Sequence, residues 1–182
     1  MHPALLLDAP RPDAEEIRDN AAFDAVLRAL SRPGEIGQLP EPGVMTVALA
    51  LIDRECRVHA PDHAEAVRAT GARLTHPDEA GHAIMALTPA TLADAALLPV
   101  GSQLHPEEGA TIIAPGRIGA GQRLRLTGPG IAGERQIALD GIAPAFWALR
   151  EAACAYPLGF ELIVVDGARV LALPRSTRVE VL

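Results

Sequence analysis

Phe23, Val26, Leu27 and Leu30 recur at helical spacing, with polar residues filling many of the intervening positions. Asp13 stands where an N-cap belongs and Pro33-Gly34 ends the run, which makes this the clearest amphipathic helix in the chain. Proline and glycine then punctuate the sequence up to Gly43, after which V-M-T-V-A-L-A-L-I-D is apolar almost all round. Periodicity alone does not separate a buried helix from a buried strand in such a run; its length favours a helix.

Shorter segments follow. Arg57 to Ala60 reads as a strand, Asp62 as the cap of a helix through Ala69, and Ala83 to Leu87 as another strand. Thr88-Pro89 supplies a cap and a first-turn proline for a helix to about Leu98. Ala110 to Ala114 fits a buried strand, Gly116 to Gly121 a flexible loop, and Gln122 to Thr127 a strand in period two. After the G-P-G turn, Arg135, Ile137 and Leu139 mark a returning strand. Pro144 starts a helix through Trp147 and Leu149 to about Ala155. Two apolar runs, Leu162 to Val165 and Arg169 to Leu173, flank Asp166-Gly167, the strongest short-range hairpin signal in the chain. Interleaved helices and strands with an antiparallel hairpin imply an α/β fold, a mixed β-sheet flanked by helices. The 182 residues carry no repeat or low-complexity stretch, so residues 1–182 are expected to form a single domain.

Composition narrows the chemistry. Hydrophobic residues are 49% of the chain and aromatics 3%, so the interior must be built from Ala, Leu, Val and Ile, with no platform of stacked rings. The net charge of -7 repels polyanions, and no basic stripe offsets it, so no nucleic-acid partner is expected. All 16 basic residues are arginine. Without lysine there is no pyridoxal phosphate aldimine, no lysine general base and no Walker-type phosphate loop. Cys56 and Cys154 lie far apart and read as small buried hydrophobes in a reducing compartment. The start M-H-P-A-L-L-L-D-A-P lacks a basic region, and no later apolar run is long enough to span a bilayer. A cytoplasmic protein without membrane attachment is expected.

Several constellations invite a functional reading. G-P-G-I-A-G, Gly128 to Gly133, satisfies the dinucleotide fingerprint, with Gly128 and Gly130 beside the phosphates if a helix follows directly. The next residues, E-R-Q-I-A-L-D-G, alternate in period two and favour a turn instead. His59 and His63 are spaced i and i+4, but Pro61 lies between them, and a third ligand is missing; His76, His82 and His105 fall in loop-like sequence. No metal site is expected. No G-x-S-x-G marks a serine nucleophile, and Ser31 and Ser102 sit in turn-like sequence. In P-R-S-T-R, Arg175, Ser176, Thr177 and Arg178 can jointly coordinate an oxyanion, or Arg175 and Arg178 can alternate on a solvated edge strand. Glu107 and Glu108 precede the strand at Ala110, where a carboxylate serves as acid or base only if buried and perturbed.

Three segments, L-R-L-T-G-P-G-I (Leu124 to Ile131), Y-P-L-G-F-E-L-I (Tyr156 to Ile163) and A-L-P-R-S-T-R-V-E (Ala172 to Glu180), together resemble the signature of the H subunit of the bacterial carbon-phosphorus lyase core complex. The resemblance extends to L-S-R-P-G (Leu30 to Gly34) and to E-G-A-T (Glu108 to Thr111), and is one of pattern only between Gly43 and Val100. The family pattern usually has Phe, Asp and Thr where this chain has Tyr156, Glu161 and Ser176, and it does not include Gly133. The resemblance implies a reduced pyridoxal-phosphate-dependent transferase fold without the cofactor lysine, hence no cofactor. It also implies partnership with the other core subunits, or a homodimer when isolated. The implied role is support for forming ribose 1-phosphonate 5-triphosphate from a phosphonate and ATP, with ATP a substrate of the complex and no catalytic residue assigned to this subunit.

Two rivals stand beside that expectation. One is a nucleotide-dependent enzyme using Gly128 to Gly133. The other is a pocket in which Arg125, Arg135, Arg175 and Arg178 meet around a phosphate or phosphonate.

Overall fold

The computed structural model describes residues 11–182. The amino-terminal segment on which the absence of a signal peptide was argued lies outside the described residues. Helix α1, Ala14–Ser31, starts in a reciprocal cap: the Glu16 N–H donates to the Asp13 carboxylate and the Asp13 N–H to the Glu16 carboxylate, both at 2.9 Å. Its buried residues are Ala22, Ala25, Val26 and Ala29, whereas Phe23 and Leu27 remain 48% and 53% exposed. The predicted helix is present, but its apolar stripe is split: Val26 is buried and Leu30 packs against the core, while Phe23 and Leu27 face outward and alanines complete the buried face. Small side chains let the helix lie close on the sheet: a Cβ at Gly37 would stand 3.3 Å from the Ala25 carbonyl.

The chain continues through β1 (Gly37–Gln38), α2 (Val44–Leu51), β2 (Arg57–His59), α3 (Ala64–Ala69), β3 (Arg73–Leu74), β4 (His82–Ile84) and α4 (Leu92–Leu97). The apolar run after Gly43 is the helix its length favours. His63 rather than Asp62 occupies the N-cap of α3, and α4 starts after Thr91 rather than at Pro89. Thr91 accounts for the delay: its hydroxyl accepts from the Thr88 N–H at 3.0 Å and donates to the Ala86 carbonyl at 2.6 Å, holding Thr88-Pro89 in a turn.

Next come β5 (Thr111–Pro115), β6 (Arg117–Thr127), β7 (Arg135–Asp140), α5 (Ala145–Ala153), β8 (Glu161–Asp166), β9 (Arg169–Leu173) and β10 (Arg178–Val181). Seven strands form one sheet in the order β1-β9-β8-β5-β4-β2-β3. The pairings from β8 through β3 are parallel; β8 with β9 and β9 with β1 are antiparallel. The mixed sheet is therefore as expected, and Asp166-Gly167 turns the predicted hairpin. A second antiparallel sheet, β10-β6-β7, was not anticipated. Nor is Gly116 to Gly121 a loop: from Arg117 on it is the start of β6, where the pairing register with β7 shifts between Ile118 and Gln122. Gly119 and Gly121 take the positive φ values that such a bulge requires.

Period-two alternation along β8 divides the interior. Leu162 and Val164 join one core with Leu124, Leu126, Leu139, Phe146, Trp147 and Phe160, under the small sheet and α5. Ile163 and Val165 join the other with Val26, Val47 and Val67, under α1, α2 and α3. The large sheet is thus covered on both faces, as its buried parallel strands require.

Candidate functional site at the carboxy-terminal edge

The three segments that carried the resemblance meet where β9 leaves the large sheet and β10 enters the small one. Arg175, between them, is a fastener. Its backbone N–H and Nε donate to the two carboxylate oxygens of Glu161 at 2.6 and 2.5 Å, and its Nη1 donates to the Pro106 carbonyl and, at 3.4 Å, to that of Pro157. The pair is mostly buried, with 14% and 21% of the two side chains exposed. One guanidinium therefore ties together the 3₁₀ turn before β5, the Y-P-L-G loop and the end of β9. Glycines make room for it: a Cβ on Gly109 would meet the Gly159 carbonyl at 2.2 Å and Arg175 Nη1 at 2.7 Å.

Arg150 of α5 sits behind this turn and is only 3% exposed. It donates to the carbonyls of Thr177 (3.0 Å), Pro174 (2.7 Å) and Leu173 (3.4 Å). Burial pushes its pKa down, and no carboxylate lies within 4.0 Å of it among the described residues. Sequence reasoning missed Arg150, although on a helical wheel it falls between Phe146 and Trp147, in the middle of the apolar face. A cavity of about 290 Å³ opens here, lined by Trp147, Arg150, Tyr156, Ser176, Thr177 and Arg178, among others. Trp147 Nε1, Arg150 Nε and Thr177 Oγ1 are buried and have no hydrogen-bond partner among the described residues.

The four arginines proposed to meet around one anion do not. Arg125 pairs with Glu134 at 3.3 Å and Glu180 at 3.1 Å; Arg135 pairs with Glu35 at 3.0 Å and donates to the Pro33 carbonyl at 3.0 Å. Arg175 is held by Glu161. Arg178 is exposed on β10 with no carboxylate within 4.0 Å among the described residues. Arg178, Arg175, Ser176 and Thr177 do share the cavity wall, so only that part of the predicted cluster comes together.

The glycine motif is a turn between two strands. Strand β7 follows it, so there is no helix N-terminus to receive a pyrophosphate. Gly128 and Gly130 serve backbone approach instead: added Cβ atoms would meet the Ser176 carbonyl at 2.8 Å and the Ser31 carbonyl at 2.3 Å. Glu108 is exposed, and the neighbouring Glu107 carboxylate is pushed below its usual range by its own backbone N–H and by His105. Neither is a buried, perturbed acid. His59 approaches Asp94 at 3.7 Å, His76 pairs with Asp78 at 2.7 Å, and burial pushes the His82 pKa down. Among the described residues no three His, Cys, Asp or Glu side chains stand together as metal ligands. Ser31 donates to the Arg28 carbonyl and Ser102 accepts from the His105 N–H, both within turns.

The model of the family described as bacterial phosphonate metabolism protein (PhnH) matches residues 13–180, from the N-cap of α1 into β10. The chain belongs to this family. A curated relative from Stutzerimonas stutzeri, described as putative C-P lyase subunit protein HtxG, is 34% identical over 176 residues, covering 89% of this chain and 86% of the relative. The resemblance seen in the three carboxy-terminal segments therefore belongs to a likeness that spans both sheets and all five helices. No described helix is long and apolar enough to cross a membrane.

Proposed function

We propose that the chain works as a subunit of the carbon-phosphorus lyase core assembly, helping to form ribose 1-phosphonate 5-triphosphate from a phosphonate and ATP without catalysing that step alone. The observation that carries this reading is family membership over residues 13–180, joined by a relative described as a putative C-P lyase subunit. The arrangement of polar groups fits it. Arg125, Arg135 and Arg175 are each committed to a carboxylate of the chain itself, and Ser31 and Ser102 hold turns. Such groups position backbone rather than attack a substrate. Within the same reading the isolated chain forms a homodimer, acts in the cytoplasm and binds no pyridoxal phosphate, in keeping with a transferase-like fold that has no lysine to form the aldimine.

Co-expression tests it. With an affinity tag on another core subunit, this chain is expected to be retained through purification and to co-elute at fixed stoichiometry. Recovery of the tagged assembly complete in every other subunit, with this chain absent, would overturn the proposal.

A further inference from the structure

Buried cations in proteins are paired, because leaving one uncompensated is strongly destabilising. Arg150 departs from this rule. Its three carbonyl partners fix its position but carry no net charge, no carboxylate lies within 4.0 Å among the described residues, and Glu161, which acts on it from further away, is already paired with Arg175. Arg178, on the same cavity, is likewise without a carboxylate in reach. Arg175 of the lining is matched by Glu161, which leaves Glu151 as the acidic residue of the lining against the cations Arg150 and Arg178. In a chain of net charge -7, this places an excess of positive charge at one small hollow. Two further buried donors, Trp147 Nε1 and Thr177 Oγ1, lack partners on that wall, whereas native proteins satisfy nearly all such groups.

The contrast with the larger groove along α1 and β1 is instructive. That hollow of about 720 Å³ is also lined by arginines, Arg28 and Arg32, but each has its own carboxylate, Asp24 at 2.9 Å and Glu35 at 3.8 Å. Its charges are balanced; those around Arg150 are not. At about 290 Å³ the cavity lies at the lower end of the ~300–1,000 Å³ usual for ligand pockets. It suits a small anion with its waters, not an entire nucleotide.

We propose that this cavity binds a tetrahedral oxyanion of phosphate or phosphonate type. Arg178 and Ser176 meet it from the more open side. The Arg150 charge, the Thr177 hydroxyl and the Trp147 indole N–H stand behind. The proposal goes beyond the subunit reading and does not depend on it, since binding is measured on the isolated chain with no partner present.

The test is thermal unfolding and calorimetry with inorganic phosphate, methylphosphonate or ATP, against sodium chloride at matched ionic strength. Phosphate or methylphosphonate is expected to raise the midpoint saturably in the millimolar range, beyond any effect of chloride. Thr177→Val and Arg178→Gln keep the carbonyls that Arg150 grips, and each is expected to weaken binding about ten-fold, as loss of one hydrogen bond to a charged partner does. Arg150 itself is not replaced, because its carbonyl anchors hold the turn. Tighter protection by ATP than by phosphate would assign the oxyanion to a nucleotide tail, and the reverse order would assign it to a free anion; both outcomes support the site. Protection no greater than that of chloride, or equal protection of the wild type and both variants, would overturn it.

Discussion

At the scale of single residues, the sequence displayed the right arginines with the wrong occupations. P-R-S-T-R invites an anion-binding reading because arginine beside a turn presents a fork of donors. The partner that claims the fork, Glu161, lies 14 residues upstream, and no periodicity links the two. Arg175→Ala therefore has a structural consequence: it leaves Glu161 mostly buried without its counter-ion. A loss on the order of 2 kcal/mol is expected in urea unfolding, reduced from the full buried-pair cost by the residual exposure. Stability within about 0.5 kcal/mol of wild type, the range of an ordinary surface substitution, would contradict that role. Arg150 was legible in principle from its place on the apolar face of α5, but its wall of unpaired donors is a product of folding. Gly128 and Gly130 were legible as turn residues through the alternation that follows them; the carbonyls they approach were not.

At the scale of elements, helices and strands were readable from periodicity, while the choice of buried face was not always so. In α1 Val26 and Leu30 mark the buried side but Phe23 and Leu27 do not, because close approach to the sheet fills most of the buried face with alanine. Replacing Phe23 or Leu27 with Gln is accordingly expected to shift the unfolding free energy by less than about 1 kcal/mol, whereas Ala22→Leu, overpacking a fully buried site, should cost about 1–3 kcal/mol. Equal effects at the two kinds of site would refute the assigned orientation. The bulge in β6 escaped the sequence because glycines in period-breaking positions look like a loop. What fixes that bulge is Asp166, whose carboxylate accepts the Ile118 N–H at 2.8 Å and joins the β8–β9 turn to the small sheet. That N–H, with Arg169 and Arg117, holds the Asp166 pKa below its ordinary value. A depressed carboxylate pKa adds stability above its unfolded value of about 3.9 and loses it as pH falls through the folded value. The stability advantage of wild type over Asp166→Asn is therefore expected to be full at neutral pH and to shrink below about pH 4. A gap that stays constant on acidification would remove this linkage.

At the scale of the whole molecule, the mixed sheet followed from interleaved helices and strands, but the second sheet required a long strand that the sequence broke into a loop and a shorter strand. The carboxy-terminal cavity lies beside that second sheet, with Val179 of β10 and the turn before it in the wall. Missing the sheet meant missing the wall. Phe146 of α5, fully buried, packs its ring on that of Phe160 just before β8, with centroids 5.9 Å apart, and so ties the helix to the large sheet. Family membership then gives this architecture its setting in phosphonate metabolism, and the internal pairing of its arginines suits a part that shapes an assembly. The most direct measurement of that role is phosphorus NMR of ATP and a phosphonate incubated with the core subunits, with and without this chain, and with this chain alone. Ribose phosphonate triphosphate is expected only when the chain and its partners are together. Product from the isolated chain, or equal product when it is left out, would contradict the proposed function.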